Sequence, residues 1–252
     1  LSPDFPSNAQ VAAELYEQGE GGRPVDGVIS LDVYAMEALV GLVGPLEVEG
    51  APELTGSNTA EFLLLDQYLS LDDTVSPRDA NQARRDMLAQ VAEQTITRLL
   101  ETAPPDPIDL GKALAPLARD SRIYAWSPIE AEQELFETID IDGALLDDDL
   151  LNGGDGFMVT VNNFGGSKID SFLERSITYH PDLGEIHVTL TNTAPPDGLP
   201  RYVIGVGGGI DVPLGTSIIW LTLHSTVPSD AALLGGEPLA ITPNLEANHF
   251  AY

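Results

Sequence analysis

The sequence contains no cysteine, and its 252 residues include only two lysines, Lys112 and Lys168. Without cysteine the chain can form neither a disulfide framework nor a thiolate metal site. Cations are scarce in general: 11 lysine and arginine residues stand against 40 aspartate and glutamate residues, which gives a formal net charge of -29. Because nucleic-acid binding depends on clustered cations that release counterions from phosphates, this balance excludes a nucleic-acid partner and disfavours an anionic membrane surface.

Long hydrophobic runs are also missing. No apolar stretch approaches the roughly 20 residues of a membrane-spanning helix, and Leu1 does not open a charged and then apolar signal peptide. We therefore expect any anchor or export signal to lie upstream of Leu1. Excess carboxylate keeps a secreted or salt-exposed protein soluble, although an acidic binding surface has the same composition.

The first half of the sequence alternates helical patterns with short apolar runs. The run 28–31 is β-branched and short, which predicts a buried strand in the middle of a sheet. Asp32 then caps a helix over 33–43. Further helices are predicted at 10–18, 59–68, 77–102, 108–118 and 128–136, with a strand at 122–126.

The second half is mostly β, and the predicted boundary between the halves is 141–155, which ends in an acidic loop with glycine and asparagine at 147–155. Strands are predicted at 156–162, 176–180, 185–191, 202–205 and 217–225. We predict an α/β fold with a central sheet flanked by helices, followed by a β-rich C-terminal region. The predicted domains are an α/β core at 1–140 and the β-rich region at 156–252.

Several segments, in this order, resemble the signature of a family of secreted proteins, domain-of-unknown-function 4012. They are Val25 to Asp32 with Val43 to Val48, Asn58 to Leu64 with Tyr68, the Arg84-Arg85 helix, Trp126-Ser127-Pro128 with Glu132-Gln133, and Val161 to Asp170 with Leu173 to Tyr179. That family is in turn similar to the LytR-CpsA-Psr cell-envelope proteins of Gram-positive bacteria.

The resemblance implies an extracytoplasmic protein, in the cell wall or anchored to the membrane and facing outward. LytR-CpsA-Psr enzymes transfer lipid-pyrophosphate-linked glycopolymers onto wall glycan, using arginines and a Mg²⁺-binding carboxylate. Carried over to this sequence, it implies Arg85 and Asp32 as catalytic residues, with Asp32 as the Mg²⁺ ligand. In both families an arginine-bearing segment precedes the Asp-Gly-Val strand. We expect it to lie before Leu1, so the catalytic set named here is incomplete.

One helix carries the best cationic cluster, formed by Arg78, Arg84 and Arg85. Arginine forks match phosphate oxygens, so these residues are candidates for binding a phosphate-bearing substrate. The alternative is that they form ion pairs with nearby acids, namely Asp72, Asp73, Asp79 and Asp86.

Asn163 and Lys168 flank a Gly-Gly turn, which can present backbone N–H groups to an anion or a sugar. Both are candidate substrate-binding residues, and the alternative is a structural loop with Lys168 paired to Asp170. Asp32 has an alternative role as a helix N-cap, and Asp26 as part of an ordinary turn. Asp32, at the carboxyl end of the strand, could also serve as one of the two carboxylates of a glycosidase.

The dense carboxylates at 140–155 suggest a Ca²⁺ site, but they lack the spacing of an EF-hand. A solvated acidic loop is therefore the simpler interpretation. The four histidines are scattered through the β-rich region without metal-ligand spacing.

Three functions are compatible with these observations. The first is a cell-envelope protein that binds or acts on wall glycopolymers, with phosphotransferase chemistry. The alternatives are a glycoside hydrolase of wall polysaccharide and a non-catalytic binding or structural module of a surface assembly. Mg²⁺ is the expected cofactor of the first, and wall glycan or a lipid-linked glycopolymer is its expected partner. The sequence leaves catalysis, substrate and oligomeric state open.

Overall fold

The structure, a computed structural model, describes residues 2–69, 77–102, 105–145, 151, 154–207, 209–246 and 249–252, with the backbone alone at 77–81 and 102. The fold is mixed α/β, with helices and several antiparallel sheets. The chain forms two compact units that interleave along the sequence. The first comprises Leu1–Ala35, Asp106–Val161 and Leu221–Tyr252, and the second comprises Met36–Pro105 and Asn162–Trp220.

The first unit begins with helix α1 (Phe5–Gln18), whose start is fixed by the Asp4 side chain. That carboxylate accepts a hydrogen bond from the Ser7 N–H. Pro6, in the first turn, has no backbone N–H and therefore needs no acceptor there. Helix α1 packs against strands β1 (Val28–Leu31) and β2 (Ile123–Trp126), which form an antiparallel pair.

Strand β1 is not the central buried strand that its apolar run predicted. In the described part of the chain it pairs with β2 alone, and the Ile29 side chain is 69% exposed. The partner strand is the better buried one, since Ile123 and Ala125 lie in the core. The run Val28-Ile29-Ser30-Leu31 is too short to show a periodicity, so the sequence cannot tell a strand buried on both faces from a strand with one exposed face.

Four strands at the C-terminal end of the sequence form the larger sheet, in the order β3, β6, β10, β9. Their bounds are Phe157–Asn163 for β3, Ile219–Ser225 for β6, Asn244–Glu246 for β9 and His249–Ala251 for β10. The boundary between the units falls within β3 and within β6. Strands β7 (Ala232–Leu234) and β8 (Glu237–Leu239) form a hairpin whose two turn residues, Gly235 and Gly236, have the positive φ that such a turn requires.

The second unit takes in most of helix α2 (Val33–Val43) and the turn after it, where Leu46 and Leu54 exchange backbone hydrogen bonds of 2.8 and 3.0 Å. Helices α3 (Thr59–Glu61) and α4 (Gln67–Leu69) are joined by a π-helical turn. Helix α5 (Pro77–Thr97) continues as a second π-helical turn, Arg98–Thr102. There the Arg98 guanidinium donates to the Pro45 carbonyl oxygen at 2.5 Å, which ties the end of α5 to the turn after α2.

The β part of the second unit is a hairpin of β4 (Leu173–His180) and β5 (Glu185–Asn192), paired along its full length. A short helix, α8 (Arg201–Ile204), stands where a strand was predicted at 202–205. That prediction was wrong because a short apolar run such as Tyr202-Val203-Ile204 fits a helical turn as well as a strand. Val203 and Ile204 of α8 are fully buried and pack with Tyr68 in the core of this unit.

The remaining elements of the first unit are helices α6 (Pro107–Arg119) and α7 (Glu130–Thr138), both of which contact β2. The β-rich C-terminal region is confirmed. The division into domains at 1–140 and 156–252 stays a prediction. Each compact unit includes residues from both of these stretches. No helix in the described ranges has the length and apolar character needed to cross a bilayer.

Candidate functional site

Two of the predicted binding residues, Arg84 and Lys168, meet at one tyrosine in the second unit. The Arg84 guanidinium donates a hydrogen bond to the Tyr68 hydroxyl. The Lys168 Nζ lies 5.0 Å from the centroid of the Tyr68 ring. The Tyr202 ring stacks on Tyr68, with centroids 5.4 Å apart and an interplanar angle of 19°. We call these four residues the cation–tyrosine cluster.

Each member of the cluster is positioned by a different element. Tyr68 lies on α4 and is 3% exposed, packed with Val203 and Ile204 of α8. Tyr202 lies on α8 itself, and its carbonyl oxygen accepts the Lys168 N–H at 3.3 Å. Arg84 reaches the cluster from α5 and is half-buried. The core of the second unit therefore holds both aromatic rings in place.

Asn163 organises the loop that leads to Lys168. Its Nδ2 donates to the Ser167 carbonyl oxygen at 2.9 Å, and its Oδ1 accepts from the Gly165 N–H at 2.8 Å. Gly166, within the same turn, has φ +66°, which only glycine adopts at no steric cost. Because both polar atoms of the Asn163 side chain are engaged in the loop, its role in the structure is to position Lys168.

The electrostatics of the cluster favour the charged form of Arg84. Burial works to lower the pKa of Arg84, but the hydrogen bond to Tyr68 and the nearby oxygens of Tyr68 and Tyr202 outweigh it and raise that pKa. The Arg84 Nε is buried and has no acceptor among the described residues. The guanidinium thus has hydrogen-bonding capacity left for a further acceptor.

The acidic partners that sequence analysis offered as alternatives are absent where the structure can test them. Among the described side chains neither Arg84 nor Lys168 lies within 4.0 Å of a carboxylate oxygen, so Lys168 is not paired with Asp170. Asp86 accepts instead from Gln82, at 2.8 Å. The side chains of Arg78, Asp72, Asp73 and Asp79 lie outside the described residues, and Arg85 is exposed on α5.

Asp32 belongs to the first unit, where it caps helix α2. Its Oδ1 accepts from the N–H groups of Tyr34 and Ala35, both at 2.9 Å. Its Oδ2 forms a 2.6 Å ion pair with Arg122, whose guanidinium lies 4.2 Å from the centroid of the Tyr34 ring. Both carboxylate oxygens are thereby engaged, as expected of a helix N-cap.

In the part of the chain that the structure describes, no group of three or more histidine, aspartate or glutamate side chains is arranged to hold a metal ion. The roles of Asp32 as a Mg²⁺ ligand and of Asp32 and Arg85 in catalysis stay predictions. The two residues belong to different compact units: Asp32 is part of the first and Arg85 is part of the second.

Sequence analysis missed a buried histidine, His224 on β6, which is 2% exposed. Its Nδ1 lies 3.8 Å from a carboxylate oxygen of Glu246 and has no hydrogen-bond partner among the described residues. Burial lowers the pKa of His224, opposed by Glu246 and assisted by His249. No spacing in the sequence could have shown this, because β6 and β10 are brought together only by the sheet.

Among the comparisons with known proteins, only a family profile matches, and it matches the first part of the chain. No curated protein and no solved structure matches the sequence. Residues 1–68 match the profile of the family described as protein of unknown function (DUF4012), a stretch that runs from before α1 to Tyr68. The match covers 68 of the 252 residues and supports, over that stretch, the family that the signature segments indicate.

Proposed function

We propose that this chain binds phosphate groups of an anionic wall glycopolymer at the cation–tyrosine cluster. The proposed setting is the outer face of a Gram-positive cell envelope, with a fold related to that of the LytR-CpsA-Psr proteins. The setting and the fold relationship are carried over from the resemblance of the sequence. The site is argued from the geometry of the second unit.

One observation carries the proposal: Arg84 and Lys168, from distant segments, both reach Tyr68 without an acidic partner among the described side chains. Among the described lysine and arginine side chains only Lys112 and Arg122 form an ion pair with a carboxylate, so what distinguishes Arg84 and Lys168 is that both reach the same buried tyrosine. An arginine fork and a lysine ammonium are the side chains that bind phosphate most strongly, the first by paired hydrogen bonds and the second as a point charge.

Binding is favoured over phosphoryl transfer by the state of Asp32. A transferase needs a carboxylate that is free to hold Mg²⁺ near the arginines, whereas both Asp32 oxygens are occupied by the helix cap and Arg122. Transfer and glycan hydrolysis remain as outcomes of the test.

The two lysines of the chain provide a matched pair of variants. We expect Lys168→Gln to weaken binding of wall teichoic acid by about tenfold or more, as the loss of one charge-assisted contact does. Lys112, which is exposed and pairs with Asp109 on α6, serves as the control, since Lys112→Gln changes the net charge equally. Titration calorimetry of the full chain measures both, with dextran as the neutral polymer.

Equal affinities for Lys168→Gln and wild type, or an equal loss in both lysine variants, would overturn the cluster as the site. A second assay supplies Mg²⁺ with either a lipid-pyrophosphate glycan or purified wall polysaccharide. Product from the first substrate would make the chain a transferase, and product from the second would make it a hydrolase. Either product contradicts a function limited to binding.

A further inference from the structure

The first unit contains a groove of about 260 Å³ beside the β1–β2 pair. Its lining combines aromatic and apolar walls with two carboxylates, from Asp26, Ile29, Trp126, Ser127, Glu132 and Phe136. We call it the acidic aromatic groove. It lies on residues other than those of the cation–tyrosine cluster, and none of the functions assigned above uses it.

Backbone packing sets the floor of the groove. Val28 and Trp126 are opposite each other in the β1–β2 register. Just before β1, a Cβ atom at Gly27 would lie 2.7 Å from the Trp126 carbonyl oxygen, so only glycine lets the chain approach Trp126 this closely. The position of Trp126 against the start of β1 is therefore specified by the sequence.

A buried hydroxyl fixes one of the two carboxylates. Ser127 is 3% exposed, and its Oγ donates to Glu132 Oε2 at 2.7 Å while accepting from the Ile129 N–H at 3.1 Å. Glu132 lies in the first turn of α7, where the N–H groups of the helix stabilise a carboxylate. The bond to Ser127 engages one carboxylate oxygen of Glu132 and restrains a side chain that lines the groove.

The charges of the groove select a cation. Lysine and arginine are both missing from its lining, and neither Asp26 nor Glu132 is in an ion pair among the described residues. Asp26 and Glu132 are both exposed, so their attraction for a positive charge is partly screened by water. Trp126 and Phe136 also line the groove, and aromatic rings attract a cation that lies over their faces.

We propose that the acidic aromatic groove binds a small ligand that carries a protonated amine, of the size of an amino sugar. The volume lies below the range of about 300 to 1,000 Å³ typical of drug-sized ligands, which limits the occupant to about one ring. This site is independent of the proposed phosphate binding, because it takes the opposite charge through different residues.

Glucosamine, N-acetylglucosamine and glucose form a matched series of probes for the groove. They share the sugar ring, and only the first carries a positive charge. We expect titration calorimetry with the wild-type chain to show binding of glucosamine at least about tenfold tighter than that of the two neutral sugars. A Trp220→Phe variant, which leaves Trp126 as the only tryptophan, should report glucosamine binding by a change in fluorescence.

Glu132→Gln is the decisive variant, since a glutamine can still accept the Ser127 hydrogen bond while the negative charge is lost. It should weaken glucosamine binding by about tenfold. Glu134→Gln on the same helix, outside the groove lining, makes the same change in net charge and should leave affinity unchanged. The proposal would be overturned if glucose bound as tightly as glucosamine, or if millimolar glucosamine did not bind at all. It would also be overturned if Glu132→Gln bound glucosamine with wild-type affinity, or if Trp126 fluorescence did not change on binding.

Discussion

Asp32 illustrates how both oxygens of a single carboxylate can be engaged in local structure. Its Oδ1 caps α2 and its Oδ2 pairs with Arg122 at 2.6 Å, with both side chains about one-third exposed. Asp32→Ala should lower the free energy of unfolding by about 1 kcal/mol, as the loss of an N-cap does. Asp32→Asn keeps the cap and loses only the ion pair, so it should cost less, about 0 to 1 kcal/mol.

Urea denaturation of the two Asp32 variants separates these contributions. Equal losses in both would mean that the ion pair, and not the cap, supplies the stability. A wild-type stability of Asp32→Ala would contradict the structural role and reopen the Mg²⁺ role predicted from the resemblance.

His224 ties stability to pH at the level of one residue. Its pKa is lowered in the folded chain by burial, so below the unfolded value of about 6.5 the unfolded chain binds the extra proton first. The free energy of unfolding therefore falls as the pH drops through about 6.5 toward the lowered folded pKa, and that stability is fully present above about 6.5. A His224→Gln variant should lose this part of the pH dependence. Melting temperatures of variant and wild type in parallel buffers measure it, and identical slopes would contradict it.

At the scale of elements, Gly41 and Gly56 let helix α2 and the turn before α3 touch backbone to backbone. A Cβ atom at Gly56 would lie 2.6 Å from the Gly41 Cα. Gly56→Ala should therefore destabilise the chain by about 1 to 3 kcal/mol, in the range measured for overpacked cores. Urea denaturation gives the value.

Gly111 on α6 provides the control of opposite sign. A Cβ atom there meets nothing within 4 Å, and the residue lies inside an exposed helix. Gly111→Ala should stabilise the chain by about 0.5 to 1 kcal/mol, because alanine is the better helix former. A Gly56→Ala variant that shared this gain would show that the two backbones can separate without cost.

The elements most accurately predicted from sequence were those with a local signal. Helix α2 has the predicted bounds, because Asp32 caps its start and Gly44 with Pro45 ends it. Helix α1 starts at Phe5, before the predicted residue 10. Asp4, which caps it, and Pro6 in its first turn are start signals that the prediction did not use. Strand β1 has the predicted bounds, but its predicted central position was wrong, and so was the strand at 202–205. Both predictions failed because short apolar runs acquire their surroundings from packing partners far along the chain.

The candidate site was predictable by residue type and not by geometry. Arg84 and Lys168 could be singled out because phosphate binding needs cations and this chain has few. That Tyr68 and Tyr202 would stack between them depends on the contact of α4 with α8, which no local pattern encodes. The same holds for the groove, where Trp126 and Glu132 are near in sequence but Asp26 arrives through the β1–β2 pairing.

At the scale of the whole molecule, the net charge of -29 sets how ligands approach. If the proposed binding site is correct, an anionic polymer is repelled at long range and attracted near Arg84 and Lys168. The Debye length falls from about 30 Å at 0.01 M salt to about 8 Å at 0.15 M, so added salt screens the distant carboxylates more than the local contact. The association rate constant of teichoic acid should therefore rise over this range, the reverse of the usual response of oppositely charged partners.

Glucosamine should respond to salt with the opposite sign, since the same charge that repels the polymer concentrates a small cation near the acidic aromatic groove. Its affinity should fall as salt is raised from about 0.01 to about 0.15 M. Stopped-flow association for the polymer and calorimetry for the sugar, in one series of buffers, test the two responses together. A polymer that associates fastest at the lowest salt would mean that cations outside the cation–tyrosine cluster draw it in, and the assignment of the site would then have to move to them.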